Sequence, residues 1–585
     1  MTSQKTGIAG KDLFTVAQNS VATADIVTGK DPSPAVKRAA SELARYLGKA
    51  TGGKFSVRQK PGNLPFHFLV GPGALEYAGR SLSFKGLGDE GVIIRTIKNN
   101  MILTGGDLRG TLYSVYTFLE NYVGCRWWYP RVEDIPVNAD LTFEPINYRF
   151  IPKLEYRYTI WLGNEDADWA VRNRNNGQPG LEQPAYGGRM THGGVHTFYT
   201  LIPPSKYFKK HPEWFSLIDG KREYEKGQLC LTNPGLFKEL LKNLKATIRK
   251  ATWQNVFSVS QNDWAGNCQC PECAKLDKRE GSPIGSLLTF INAIADEVKK
   301  EFPDISISTL AYTYTRQAPK NIVPRDNVII QLCSIECDFS VPLTHVRNKD
   351  FRRDIVEWSK ISDRLYIWDY VANYSHFFFV FPNFRVMAAN VRFFIRHNVK
   401  GLFEQGVYNE KLTDFAVLRG WVLAKLLWDP SLDDQKLIKE FCEAYYGPAA
   451  RYVLGHINNM VDSILKTKEP LRCFSGPIKK YLSFETLNKS RQLMDKALKA
   501  VENDKILTNR VMLVRCAVLY SFIADWKELK AQAKKARKRW PWPADAATLA
   551  EEYKKPILAN GIKRIDEWTL GFKRLEDAVA RSEEP

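Results

Sequence analysis

Four short segments of the 585-residue chain end an apolar run in carboxylates or amides. They are VFSVSQND, closing on Asn262 and Asp263; IIQLCSIECDF, with Glu336 and Asp338; LYIWDY, with Asp369; and VKGLFEQG, with Glu404 and Gln405. Cleavage of a glycosidic bond needs a carboxylic acid to protonate the leaving oxygen, plus either a second carboxylate or the substrate's own 2-acetamido oxygen to stabilise the anomeric carbon. The neighbouring Asn262 and Asp263 offer one arrangement, an amide that orients an acetamido group beside a proton donor. Glu336 and Glu404, on other segments, can face them, so Asp263, Glu336 and Glu404 are the candidate catalytic residues. The bland alternative for each acid is a helix cap or a buried partner of an arginine.

Sugar rings have apolar faces that stack on flat side chains, and the same segments hold Trp161, Trp264, Tyr312, Tyr314, Trp368, Tyr370 and Tyr374. Asn262, Asp369, Arg157, His192, His196 and Arg316 are polar candidates for substrate hydroxyls or acidic groups. Because aromatic residues make up 12% of the chain, part of this set must be core instead. Cys268, Cys270 and Cys273 follow Asp263 closely as C-x-C-x-x-C. Three thiolates so spaced can hold a structural zinc ion with a fourth ligand, for which Cys230 and Cys337 are candidates; a loop-stapling disulfide with one free thiol is the competing reading. The hydrolysis itself requires no cofactor. The chain has no G-x-x-x-x-G-K-[ST], H-E-x-x-H or G-x-S-x-G motif, so nucleotide hydrolysis, zincin proteolysis and α/β-hydrolase chemistry lose their usual signals.

These residues need elements to position them. From about 151 to 410, β-branched or aromatic runs alternate with helical stretches, which predicts a (β/α)₈ TIM-type barrel with active residues at the C-terminal strand ends. The expected strands are Tyr156 to Leu162, a segment near Val195 to Thr200, Gln228 to Thr232, Val256 to Gln261, Ile305 to Tyr312, Val328 to Ile335, Arg364 to Asp369 and Val399 to Phe403. Residues 1–150 read as an N-terminal α/β domain, with a helix from Ala35 to Leu47 and the glycine-rich Gly105-Gly106-Asp107 stretch as a turn and helix entry. Residues 411–585 read as an α-helical C-terminal domain interrupted at Trp540-Pro541-Trp542-Pro543.

Composition agrees with a folded chain: 44% hydrophobic and 25% charged, far from the signature of disorder. With 84 Lys and Arg against 64 Asp and Glu, the net charge of +20 suits an anionic glycan as partner, or a merely solvated basic surface. The basic stretch Lys527 to Arg539 reads as such a surface, and no nucleic-acid role is expected. No membrane span is expected either, and the start MTSQKTGIAGKDLF lacks the tripartite pattern of a secretory signal. An oligomeric state is not encoded in any of these features.

Several longer segments carry a resemblance: GTLYSVYTFLENYVGCRWWYP, HPEWFSLIDGKR with QLCLTNP, VFSVSQNDWAGNCQCPEC, LCSIECDFSVPL, GLFEQG, and AKLLWDP with FCEAYYG. Across roughly residues 100 to 450 the chain resembles proteins carrying domain of unknown function 4838, part of which is classified as glycoside hydrolase family 163. DPSPAVKRAASELARYLGKATGGKF is similar to the non-catalytic α/β domain that precedes the barrel in α-glucuronidases and β-hexosaminidases. The leading expectation is a retaining hydrolase, using either substrate assistance or a carboxylate nucleophile. The resemblance implies a (β/α)₈ glycosidase, an endo-β-N-acetylglucosaminidase acting on complex N-glycans, in the periplasm or secreted. It implies Asp263 as proton donor with Asn262 on the acetamido group; because such enzymes more often show Asp-Glu, Asp-Asp or Asn-Glu there, Glu336 or Glu404 stays open as donor. A glycosidase of uronide or sulfated polysaccharide, and a carbohydrate-binding barrel without catalysis, are the alternatives.

Overall fold

The computed structural model describes residues 13–79, 81–542 and 545–584, with the side chains of Asn164 and of 190–193 outside the described set. The chain divides into two compact units. The first holds the described residues up to Lys153 together with 166–190; the second holds 154–165 and the described residues from Thr191 onward. The helices after 410 thus belong to the same unit as the strands that carry the candidate acids, and a stretch inside the expected barrel span, 166–190, belongs to the first unit.

In the first unit a six-stranded mixed sheet is built around Phe66–Val70 and Asn100–Gly105, which pair in parallel, with Val92–Ile97 antiparallel to the latter. The helix Pro34–Thr51 starts where the Ser33 hydroxyl accepts the Val36 N–H and stops at Gly52 in the left-handed region. The Gly105-Gly106 turn leads into the helix Gly110–Phe118. A Cβ on Gly105 would lie 2.2 Å from the Gly91 carbonyl oxygen, so glycine here permits helix and strand to touch.

The second unit carries seven strands that we number in chain order: β1 Tyr156–Ile160, β2 Met190–Gly193, β3 Gln254–Ser258, β4 Ser306–Ala311, β5 Val328–Cys333, β6 Leu365–Tyr370 and β7 Val399–Gln405. Their order in the sheet is β1-β7-β6-β5-β4-β3-β2, and the pairings from β3 through β7 to β1 are all parallel. Residues from β1, β4, β5, β6 and β7 line a common cavity, so the sheet curls around it.

Among the described residues this sheet has seven strands and does not close into the eight-stranded barrel that the alternation predicts. Among the described residues β1 and β2 are not paired, and the expected strand Gln228 to Thr232 makes a single antiparallel bridge, Phe215↔Leu229. Its polar groups are satisfied elsewhere: the Cys230 N–H donates to the Trp214 carbonyl at 2.8 Å, and the buried Gln228 side chain serves the loop after β3. A strand near Val195 to Thr200 is also absent; the strand lies earlier, at β2, and Phe198–Leu201 is a short helix.

After β7 the chain is helical. Ala416–Trp428 packs against β1 and is buried throughout; Lys505–Ala524 packs against Phe484–Ala500, Ala546–Ala559 and Lys573–Glu583. By length and composition Lys505–Ala524 would suffice to cross a membrane, but in this fold the residues of its second half are buried among those helices. The expected helix Asn509 to Arg539 is two helices, broken between Ala524 and Trp526.

Candidate active site

The cavity in front of the curled sheet measures about 770 Å³. A parallel strand presents alternate residues to opposite faces. Trp368 and Tyr370 of β6, Phe403 and Gln405 of β7, and Tyr156 and Tyr158 of β1 all face the cavity. Trp368 Nε1 donates to Gln405 Oε1 at 2.6 Å, which fixes both side chains across the floor.

Among the described residues two carboxyl groups face this space, Asp263 from the loop after β3 and Glu567 from the loop between the last two helices. The Tyr312 hydroxyl donates to Asp263 Oδ1 at 3.0 Å; burial and then the Asp263 charge push that phenol well above its ordinary value, so it remains a donor. His196 Nδ1 lies 2.7 Å from the Gln261 carbonyl oxygen, which can only accept, so the proton sits on Nδ1 and Nε2 faces Asp263 Oδ1 at 3.8 Å. His196 holds this position with φ 54°, in the left-handed region where a side chain is strained.

Glu567 is held as firmly. Tyr408 OH donates to its Oε1 at 3.0 Å, and its N–H donates to the Tyr374 carbonyl at 3.0 Å. The loop around it is tied down by Glu410, whose Oε2 accepts the N–H groups of Lys563 and Arg564 at 2.7 and 3.1 Å, and by Asp566, which accepts those of Trp568 and Thr569. Burial raises the Glu567 carboxyl above its ordinary value, the Tyr408 hydrogen bond opposes this, and the Asp263 charge adds to the rise. Beside it, Phe474 and Trp568 stack at 5.9 Å with 26° between planes, and Trp568 is 58% exposed, a flat apolar wall at the mouth.

The other expected acids stand elsewhere. Glu336, 47% exposed, forms an ion pair with Arg316 at 2.6 Å, and Arg316 is anchored by the fully buried Asp354 at 2.7 Å. Asp338 is buried and paired with Arg347 at 2.5 Å. Glu404 and Asp369 sit directly opposite each other on β7 and β6, but on the face turned away from the cavity. Glu404 is 1% exposed and its Oε2 has no hydrogen-bond partner among the described residues. Burial, then the Asp369 charge, raises its carboxyl well above the ordinary value; burial lifts Asp369 to about 6 despite the hydrogen bond from Ser334.

Of the remaining expected binding residues, His196, Tyr312, Trp368 and Tyr370 line the cavity. Asn262 is buried, with its amide directed at the Gly227 carbonyl at 3.5 Å. Trp264 donates to that same carbonyl at 2.9 Å and packs edge-on against Tyr199, off the cavity wall. Arg157 is fully buried, donating to the Leu154 carbonyl and lying over the Trp428 ring. Trp161 is core, pressed against Gly406; Tyr374 is buried, donating to the Gln405 carbonyl at 2.6 Å; Tyr314 lines a separate small cavity near Cys268. The His192 side chain lies outside the described residues. Cys268, Cys270 and Cys273 are buried together with Cys230, whereas Cys337 is not in that group. Glu567, Trp568, Phe474 and Tyr408 escape a sequence reading because they sit in loops without periodicity; the one signal is an acid beside a tryptophan, Asp566-Glu567-Trp568, in a short break between helices.

In solved structures, the chain is similar to a family GH115 4-O-methyl-α-glucuronidase with specificity for decorated arabinogalactans, at TM-score 0.59 and 13% identity over 98% of this chain and 80% of that one. It overlaps less well with a Flavobacterium johnsoniae chitobiase of family GH20, at TM-score 0.48 and 12% identity over 98% and 97% of the two chains. The first likeness shows a shared fold. No curated protein matches the sequence. A family model described as a domain of unknown function matches residues 127–458, more than half of the chain, and the protein belongs to this DUF4838 family.

Proposed function

We propose that the protein is a glycoside hydrolase that cleaves a β-linked N-acetylglucosamine residue in N-glycans or related glycans. The observation that carries the reading is the meeting of Asp263 and Glu567 at one aromatic-walled cavity, with the Glu567 carboxyl held above its ordinary value by burial. A carboxyl raised by burial keeps its proton to higher pH than an ordinary one and is suited to act as the acid. Glu567 passes its proton to the leaving oxygen as the bond to the anomeric carbon breaks and its electron pair goes to that oxygen. The positive charge left on the sugar is met by Asp263 or by the substrate's own acetamido oxygen; a water then adds at the anomeric carbon and returns a proton to Glu567. Tyr312 and His196 orient Asp263, and Trp368, Tyr370, Phe474 and Trp568 give the sugar faces flat surfaces.

The choice of a neutral over an acidic glycan rests on the wall itself. Two carboxyls and no lysine or arginine stand among the described lining residues, so a uronate or sulfate would meet like charge there despite the net +20. The test is turnover by the full chain of complex N-glycans and aryl N-acetylglucosaminides, followed by mass spectrometry of the products. Release that disappears in Glu567→Gln supports the reading. Binding of these glycans without any product over days would identify a carbohydrate-binding protein without catalysis, and cleavage restricted to uronides would overturn the substrate.

A further inference from the structure

Outside the cavity, four thiols are gathered among the described residues. Cys230, Cys268, Cys270 and Cys273 are all buried, and their Sγ atoms lie within 4.8 Å of one another. A disulfide needs two sulfurs about 2.05 Å apart. The Cys230 and Cys270 sulfurs stand 3.7 Å apart instead. That separation matches the edge of a tetrahedron with metal–sulfur bonds of about 2.3 Å, roughly 3.8 Å.

The surroundings also suit thiolates. The Leu217 N–H points at Cys268 Sγ at 3.3 Å, the Thr232 hydroxyl lies 3.3 Å from Cys273 Sγ, and Arg222 Nη1 is 4.0 Å from Cys268 Sγ. Four thiolates around a divalent ion carry two net negative charges, and a neighbouring guanidinium with N–H and O–H donors offsets such a charge. We propose that these four cysteines bind one zinc ion in a closed, structural site with no position left for water or substrate.

The site has a mechanical consequence. Cys230 lies two residues after Gln228, whose Oε1 accepts the Asn262 N–H at 2.9 Å and whose Nε2 donates to the Trp264 carbonyl at 2.6 Å. Cys268 lies five residues after Asp263 on the same loop. The ion therefore ties the loop after Asp263 to the 228–230 segment that braces it, at the place where the expected strand Gln228 to Thr232 is missing from the sheet. Zinc is a positioning element here and takes no part in bond cleavage.

The experiment is metal analysis of the reduced, full-length protein after exposure to zinc and gel filtration, with cobalt substitution as a second readout. One zinc per chain, thiolate-to-cobalt charge-transfer bands, and protection of four thiols from alkylation until a chelator is added are the expected results. Cys230→Ser should lose most of the bound zinc and shift the cobalt spectrum; if that variant fails to fold, the cobalt spectrum and thiol protection of the parent still decide. Less than a tenth of an equivalent of zinc, a disulfide among these cysteines in peptide mapping, or four freely reactive thiols in zinc-treated protein would overturn the proposal. Metal content is measured without substrate, so its failure is separable from failure of the glycosidase reading.

Discussion

The hydroxyl of Tyr408, three residues beyond β7, donates to Oε1 of Glu567, 159 positions later in the chain, at 3.0 Å. One hydrogen bond thereby joins the rim of the curled sheet to the C-terminal helices, and it holds the Glu567 carboxyl at the cavity that Asp263 also lines. Glu567→Gln keeps the shape and this hydrogen bond but removes the transferable proton. Turnover should fall by about 10² to 10⁴, the usual worth of a general acid. In the parent, kcat should decline as pH rises through the raised Glu567 value, and this basic limb should be missing from the residual activity of the variant; a retained limb would assign the acid elsewhere.

Asp263 and Glu336 are separated by their partners. Asp263 accepts a hydrogen bond from the Tyr312 phenol at the cavity, whereas Glu336 is paired with Arg316. Asp263→Asn should lower kcat by two orders of magnitude or more, and Tyr312→Phe by roughly tenfold, about the worth of one hydrogen bond. Glu336→Gln should leave kcat within twofold and change stability by ~0–1 kcal/mol, because the pair is half-exposed. Steady-state kinetics with denaturant melts of the same variants check both.

The Asp369 and Glu404 pair should appear in stability rather than turnover. Both carboxyls are raised by burial, so the folded state holds their protons more tightly than the unfolded chain. The stability this contributes is fully present below the unfolded values and is lost as pH rises through the folded ones. For Asp369, a rise from 3.8 to about 6 amounts to roughly 3 kcal/mol. The buried His376 and His456, each lowered to about 4 by burial, act in the opposite sense, losing stability as pH falls from 6.5. Asp369→Asn removes only the carboxyl contribution, so the gap in ΔG between variant and parent should widen in the variant's favour from pH 4 to pH 7. Parallel curves would show the pair to be ordinary.

Trp568 offers its face at the mouth of the cavity while its backbone is fixed by Asp566. Trp568→Ala should raise KM for oligosaccharides roughly three- to tenfold, the range of one aromatic contact, with kcat little changed. Equal KM values for parent and variant would remove the Phe474–Trp568 stack from the substrate path.

Gly406 directly follows β7, where an added Cβ would lie 1.9 Å from the Trp161 ring. Gly406→Ala should therefore cost at least about 1–3 kcal/mol through overpacking, read as a lowered Tm. An unchanged Tm would mean the indole can move, and that the strand end is less rigid than its packing indicates.

Local patterning alone carried much of the architecture. Alternating apolar runs located β1, β3, β4, β5, β6 and β7 to within a few residues, and helical spacing over Ala35 to Leu47 located the first long helix, because both signals depend only on neighbours in sequence. The loop after β3 was legible as chemical for the same reason: a strand end rich in Asn262, Asp263 and three cysteines is dense in reactive groups whatever surrounds it. What only the tertiary structure decided is which face each side chain takes and which distant segment meets it. Glu404 and Gln405 are adjacent in sequence, but the pleat turns one behind the sheet and the other into the cavity, and a one-residue difference in register is invisible in composition. Glu567 was out of reach because its partner Tyr408 lies 159 residues away, and the choice of Cys230 over Cys337 as the fourth thiol likewise waited on the fold, since a contact closed across so long a loop leaves no periodic trace in the chain that makes it.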